Sequence, residues 1–167
     1  MRTTLLALLA AAILHSETVA GLTWTAPSGW ISKSSTSMRA ATYVLGENAE
    51  CAVYFFGAGQ GGSVAANLER WKDQFTAPDG KPSTAKIANL TVHGLPVTTI
   101  DISGQYTGMG GPTAKTPSTV GGFRLLGAIV EGPAGNVFLK FTGPAALVLQ
   151  NEAKFKQLLD SFAKPAN

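Results

Sequence analysis

Residues Cys51 to Phe75 constrain this chain more than any other stretch. Cys51-Ala-Val-Tyr-Phe-Phe56 is dense in aromatic and β-branched residues and stops abruptly at glycine, which predicts a buried strand. Beyond the glycines, Val64, Leu68, Trp71 and Phe75 recur at helical period on one face, with Glu69, Arg70, Lys72 and Asp73 mostly off it. Ser63 is placed to cap that helix, because its hydroxyl can accept a backbone N–H of the first turn. A strand that must be covered and a helix with one apolar face predict a helix lying on a sheet. Trp71 and Phe75 are expected to meet the sheet that contains the Cys51 strand.

The turn between them offers the first candidate site. Gly57, Gly59 and Gly62 spell G-x-G-x-x-G between strand and helix, the spacing of a dinucleotide-binding turn. The rest of the chain reads as hairpins rather than βαβ units, and Asp79 sits in a Pro-Asp-Gly turn where it makes a poor ribose ligand. A phosphate-binding loop is excluded as well, since Gly62 is followed by Ser63 and no lysine. Two readings remain. The backbone amides at the helix N-terminus can hold an anion, with Gly57, Gly59, Gln60, Gly61, Gly62, Ser63 and Arg70 as the ligand-binding set. Alternatively, the glycines simply permit a sharp strand-to-helix reversal with positive φ, and Arg70 is a solvated helix residue near Asp73 and Gln74.

The start of the chain reads as a secretory signal over residues 1–20. Arg2 supplies the positive end, Leu5 to Leu14 a short apolar core, and Thr18-Val19-Ala20 a small-residue cleavage site. The apolar run is too short for a stable membrane anchor, so no span is expected after cleavage. Residues 21–167 then form one domain, exported to the periplasm or secreted. Losing Arg2 and Glu17 leaves the net charge at +3, spread along the chain without the basic cluster that nucleic acid or a lipid surface would need. A lone cysteine cannot form an internal disulfide, so this domain must rely on its apolar core. Cys51 opens an apolar strand and lacks a local cation, which predicts a buried, unreactive thiol.

Further along, Leu22 to Thr25 is a short strand, and Met38 to Leu45 another, with Arg39 and Tyr43 expected on one face by the period of two. Lys86 to Val92 and Leu95 to Tyr106 read as strands joined at His93-Gly94, with Asp101 on the polar face. Thr107 to Gly122 has no period and is dense in Gly, Pro and Thr, which predicts a long loop. Tyr106, Met109, Gly110 and Gly111 are its candidate interaction residues. Phe123 to Glu131 and Val137 to Thr142 form the clearest hairpin, and Leu125 to Val130 is apolar on both faces, as in a central strand covered on both sides. Gly143 and Pro144 then predict the start of a closing helix that buries Val148, Phe155, Leu159 and Phe162. The sum is an α+β domain: a mainly antiparallel sheet of about six to eight strands with two principal helices packed on it.

The pattern Trp24, Pro27, Gly29, Trp30, then a mid-chain helix, then Phe138-Leu-Lys-Phe-Thr-Gly-Pro144 and a helix with Phe155 and Leu158 resembles the PsbP-like superfamily. Its members include a photosystem extrinsic protein, a Ran-binding import factor and DcrB-like bacterial envelope proteins. Val53 to Gly62, Asn67 to Phe75 and Leu126 to Pro133 are similar to segments of exported bacterial proteins of unassigned function. The resemblance implies the fold and an envelope setting; it supplies no activity, because one fold hosts unrelated ones.

Function is therefore weighed on residues. No nucleophile–base–acid set is evident, and neither a cofactor nor a metal is implied. His93 is the one histidine after cleavage and lacks companion ligands. The leading expectation is a non-catalytic periplasmic binding or protein-interaction domain, its partner an envelope protein or a small ligand. Two alternatives stand beside it. One is a hydrolase-type enzyme using Glu131, Asp101 and His93 with Tyr54 or Tyr106 as acid. The other is an assembly factor with an exposed apolar patch around Trp24, Trp30 or Met109, although the core is the better place for the tryptophans.

Overall fold

The computed structural model describes residues 16–36, 38–109 and 118–166. A hairpin of β1 (Ser16–Val19) and β2 (Leu22–Thr25) opens it. There follow β3 (Ile31–Lys33), β4 (Arg39–Val44) and β5 (Glu50–Tyr54), then α1 (Val64–Lys72) and β6 (Phe75–Thr76). Four elements, β7 (Ala85–Val92), β8 (Leu95–Met109), β9 (Ser118–Gly132) and β10 (Gly135–Pro144), supply most of the sheet, and α2 (Ala145–Gln150) and α3 (Glu152–Asp160) close the chain. Strands β3 to β10 form one eight-stranded antiparallel sheet in the order β3-β4-β5-β10-β9-β8-β6, with β7 also paired to β8. Two of its adjacencies, β7–β8 and β9–β10, follow from two-residue hairpin turns.

Two cores lie on opposite faces of this sheet. α1 covers one with Leu68 and Trp71, against Ile100, Ile102, Leu125, Ile129 and Phe138. The β1–β2 hairpin, α2 and α3 cover the other, where Trp24, Trp30, Tyr43, Phe141, Phe155 and Phe162 meet. β9 runs between them, and Leu125, Ala128, Ile129 and Val130 are fully buried, as its two-sided apolar pattern demands. Both early tryptophans are core residues. Trp24 stacks on Phe162 at 5.1 Å and donates its indole N–H to the Tyr43 hydroxyl at 2.9 Å. Cys51 is buried in the same core, and burial pushes its thiol pKa up, so it packs as a small apolar group.

Several expectations shift in detail. The helix ends at Lys72, and Phe75 crosses to β6, where it pairs with Tyr106 while still filling the α1-side core. The closing helix is two helices broken at Asn151, and Gly143 and Pro144 belong to β10. Thr107 to Met109 and Ser118 to Gly122, expected in the long loop, extend β8 and β9 instead; the rest of that expected loop, residues 110–117, lies outside the described residues. Arg39 and Tyr43 do not share a face. A register shift between Arg39 and Ala41 inserts one extra residue into β4. Tyr43 therefore enters the α3-side core, while Arg39 turns to the α1 side and meets Tyr54 and Glu50. Ser16–Val19, placed in the leader by the sequence, pairs with β2 through a turn at Ala20 and Gly21, both at positive φ.

Candidate functional site

The glycine turn and Tyr106 lie toward opposite ends of α1, a nine-residue helix about 13 Å long. At its N-terminus Ser63 caps the helix, its hydroxyl accepting from the Ala66 N–H at 3.2 Å. The Asn67 amide, buried beside it, donates to the carbonyls of Gly61 and Ser63 at 2.8 and 2.9 Å, and Arg70 donates to the Asn67 side-chain oxygen at 3.0 Å. Arg70 and the glycine turn are thus brought together, but to satisfy one another. Gly61 is needed for packing: its φ is +88°, and a Cβ there would lie 2.7 Å from the Phe138 ring. Gly57, Gly59, Gln60 and Gly62 complete the reversal, with the Gln60 N–H donating to Gly57 at 3.1 Å.

At the other end of α1, Tyr106 is buried and holds a residue the sequence reading passed over. Lys140, on β10, donates to the Tyr106 hydroxyl at 3.0 Å and to the Gln74 side-chain oxygen at 2.6 Å. Burial, the largest effect, lowers the Lys140 pKa to about 8, and raises that of Tyr106 to about 12. Tyr54 and the Arg39–Glu50 ion pair, closed at 2.9 Å, lie on the same side of the sheet. The usable signal was a lysine set between Phe138, Leu139 and Phe141, where a strand has no solvated face to offer it. Met109 is the last residue of β8; Gly110 and Gly111 lie outside the described residues.

On the opposite face β7 and β8 reach past α3 and leave a groove of about 740 Å³. Ala88, Thr99 and Asp101 line its sheet side, and Leu149, Glu152 and Lys156 its helix side. Its charges are largely matched internally. Arg124 grips Asp101 through two bonds of 2.8 Å and reaches Glu152 at 2.9 Å, and Lys156 meets Asp160 at 2.7 Å. The hydrogen bonds to Asp101, chiefly, hold the Arg124 pKa above its usual value. What the groove presents to solvent is therefore partly apolar: Leu149 is 64 % exposed and Leu90 38 %. Among the described residues β7 beside it pairs only with β8, and six consecutive residues, Lys86 to Thr91, are exposed.

The residues of the enzymatic alternative do not converge. Asp101 is held by Arg124 on the α3 side, Glu131 is exposed, and His93 sits in the β7–β8 turn with Nδ1 2.9 Å from the Phe162 carbonyl. Tyr54 and Tyr106 belong to the opposite face. Among the described residues no group of three His, Cys, Asp or Glu side chains could hold a metal, and no helix is long and apolar enough to cross a membrane.

No family model matches the sequence, nor does any curated protein. Solved structures match in fold. Cyanobacterial PsbP (CyanoP) from Synechocystis sp. PCC 6803 aligns over 97 % of this chain and 98 % of its own, with a TM-score of 0.57 at 10 % identity. PA94 from Pseudomonas aeruginosa, a protein of unknown function for which a regulatory role has been suggested, aligns over 92 % of this chain and 99 % of its own, with a TM-score of 0.50 at 14 % identity. The molecule is thus a single α+β domain of PsbP-like fold. At such identities the likeness concerns the fold alone.

Proposed function

We propose that this protein is an exported, non-catalytic interaction domain, which holds an extended segment of an envelope partner along β7 and the groove beside it. The observation that carries the reading is the union of a long strand edge, free among the described residues, with a groove of about 740 Å³ whose own charges, Lys86 apart, are already paired. In a two-residue hairpin the flanking pair, here Val92 and Leu95, exchanges both hydrogen bonds. Thr91, Asn89, Ile87 and Ala85 then turn their N–H and C=O groups to the free edge. An added strand would satisfy those groups, and its side chains on the α3 side would reach Leu90 and Leu149. The scattered positions of Asp101, Glu131, His93, Tyr54 and Tyr106 support the non-catalytic part, and the role asks for neither cofactor nor metal.

Export rests on the leader-like residues 1–20, on the resemblance to exported DcrB-like and unassigned bacterial proteins, and on how β2 is held. Thr23 exchanges backbone hydrogen bonds with Ala163 at 2.8 and 3.0 Å, and the Thr25 N–H donates to the Ser161 hydroxyl at 2.9 Å. With Trp24 stacked on Phe162, cleavage after Ala20 would remove β1 and leave β2 anchored. The test is a photo-crosslinking residue placed at Leu149, and separately at exposed Glu69 as control, in cells of the native host. Adducts to one envelope polypeptide from position 149 and none from 69 are expected; equal, diffuse labelling from both sites would sink the proposal.

A further inference from the structure

We propose that the β7 groove selects its strand by pattern and direction: the strand runs antiparallel to β7, with a carboxylate opposite Lys86 and apolar side chains opposite Ala88 and Leu90. This inference rests on strand addition at β7 and names the chemistry of the partner. Lys86, Ala88 and Leu90 share the α3 side of the strand by the period of two. Leu90 stands opposite Val97 of the α3-side core, and Lys86 opposite Asp101, whereas Ile87 stands opposite Ile100 of the other core. Lys86 is exposed and makes no ion pair among the described residues. Asp101, the acid beside it, has both carboxylate oxygens held by Arg124 at 2.8 Å, and Arg124 also holds Glu152 at 2.9 Å. The cation left over therefore stands on the pairing edge itself.

A lysine on a strand edge works by exclusion. It opposes any incoming strand that sets a basic or apolar side chain against it, and admits one that sets a carboxylate there. Lys86, like Ala88 and Leu90, directs its backbone groups to β8. In antiparallel addition all three then fall at non-hydrogen-bonded positions, where facing Cβ atoms lie about 4.5–5.5 Å apart. An aspartate or glutamate at that separation reaches the ammonium. Ala88, opposite Thr99, has a small side chain and leaves room for a bulky apolar one, and Leu90, 38 % exposed, gains cover from another. The surroundings are graded in the same sense. Lys86 also lines a second hollow of about 470 Å³, where Thr84, Ser103 and Arg124 are polar, whereas Leu90, Phe155 and Leu159 line the larger one. Antiparallel addition continues the pairing of the whole sheet and is the more stable kind per residue. From its N-terminus the partner therefore reads apolar, any, apolar, any, acidic.

The experiment titrates the isotope-labelled full chain with end-blocked peptides and follows the outward amides of Ile87, Asn89 and Thr91 by NMR. The first peptide is Ser-Thr-Val-Thr-Leu-Thr-Glu-Thr-Ser; the second carries glutamine for the glutamate, and the third is the first in reverse order. Saturable shifts at those amides are expected with the first peptide. The glutamine peptide is expected to bind about three- to fivefold more weakly, and the reversed peptide more weakly as well. In Lys86→Gln, a change at an exposed site that leaves both cores untouched, the glutamate and glutamine peptides are expected to bind alike. A glutamate preference that survives Lys86→Gln, no such preference in the wild-type chain, or a reversed peptide that binds as well would overturn this inference. Strand addition would still stand in those cases, because the shifts report a strand at β7. No saturable shift at β7 with any peptide would overturn both.

Discussion

Lys140 shows how one residue can carry a cost visible in solution. Burial lowers its pKa from 10.5 to about 8 in the folded chain, while the unfolded chain keeps the ordinary value. Between those two pH values the unfolded state binds more protons than the native state, so stability rises with pH across that window. Tyr43 and Tyr106 act in the opposite sense. Burial raises both to about 12, so above pH 10 the unfolded chain loses protons that the folded one keeps, and stability falls. Denaturant unfolding is expected to show a rise on the order of 2 kcal/mol from pH 8 toward 10, followed by a decline. Lys140→Met is expected to lose the rise and keep the decline. A flat profile in the wild-type chain between pH 8 and 10 would contradict the burial of that ammonium. At this scale the sequence was only partly legible. Ser63 as a cap, Cys51 as a buried thiol and the two core tryptophans followed from local pattern. Lys140 did not, because its meaning depends on Gln74 and Tyr106, which come from distant parts of the chain.

Among elements, local periodicity identified α1 and the β7–β8 and β9–β10 hairpins, since each is specified by residues a few positions apart. Element ends were harder to read. Phe75 fits the helical stripe equally well as a helix residue or as the first residue of a strand, and its pairing with Tyr106 decides the matter. The face of Arg39 was illegible for a similar reason. An inserted residue in β4 inverts the alternation beyond it, and only the partner strand reveals the insertion. β1 raises a question that an experiment can settle. Its residues alternate between exposed and half-buried, while β2 is tied to the Ser161–Ala163 segment without it. A chain beginning at Gly21 is therefore expected to unfold within about 0.5 kcal/mol of one that retains β1. A loss of several kcal/mol would make β1 part of the folding unit and would count against cleavage after Ala20.

For the whole molecule, the class of fold was readable because composition, strand count and two separate helical stripes all agree on a sheet covered on both sides. The groove was not. It exists because β7 and β8 outreach α3, a relation between lengths and positions that no segment records by itself. The same mismatch leaves β7 as an eight-residue edge with Ile87 48 % exposed and Lys86 as its one charge, little protection for an edge without a second partner among the described residues. The interaction role is most directly tested by hydrogen exchange at the β7 amides, comparing the purified chain with protein recovered gently from the envelope of its host. In the purified chain the outward amides of Ile87, Asn89 and Thr91 are expected to exchange fast, and those of Ala88 and Leu90, bonded to β8, slowly. In the recovered protein the outward set is expected to become protected as well. Outward amides that exchange equally fast in both preparations would contradict strand addition at β7 and, with it, the proposed function.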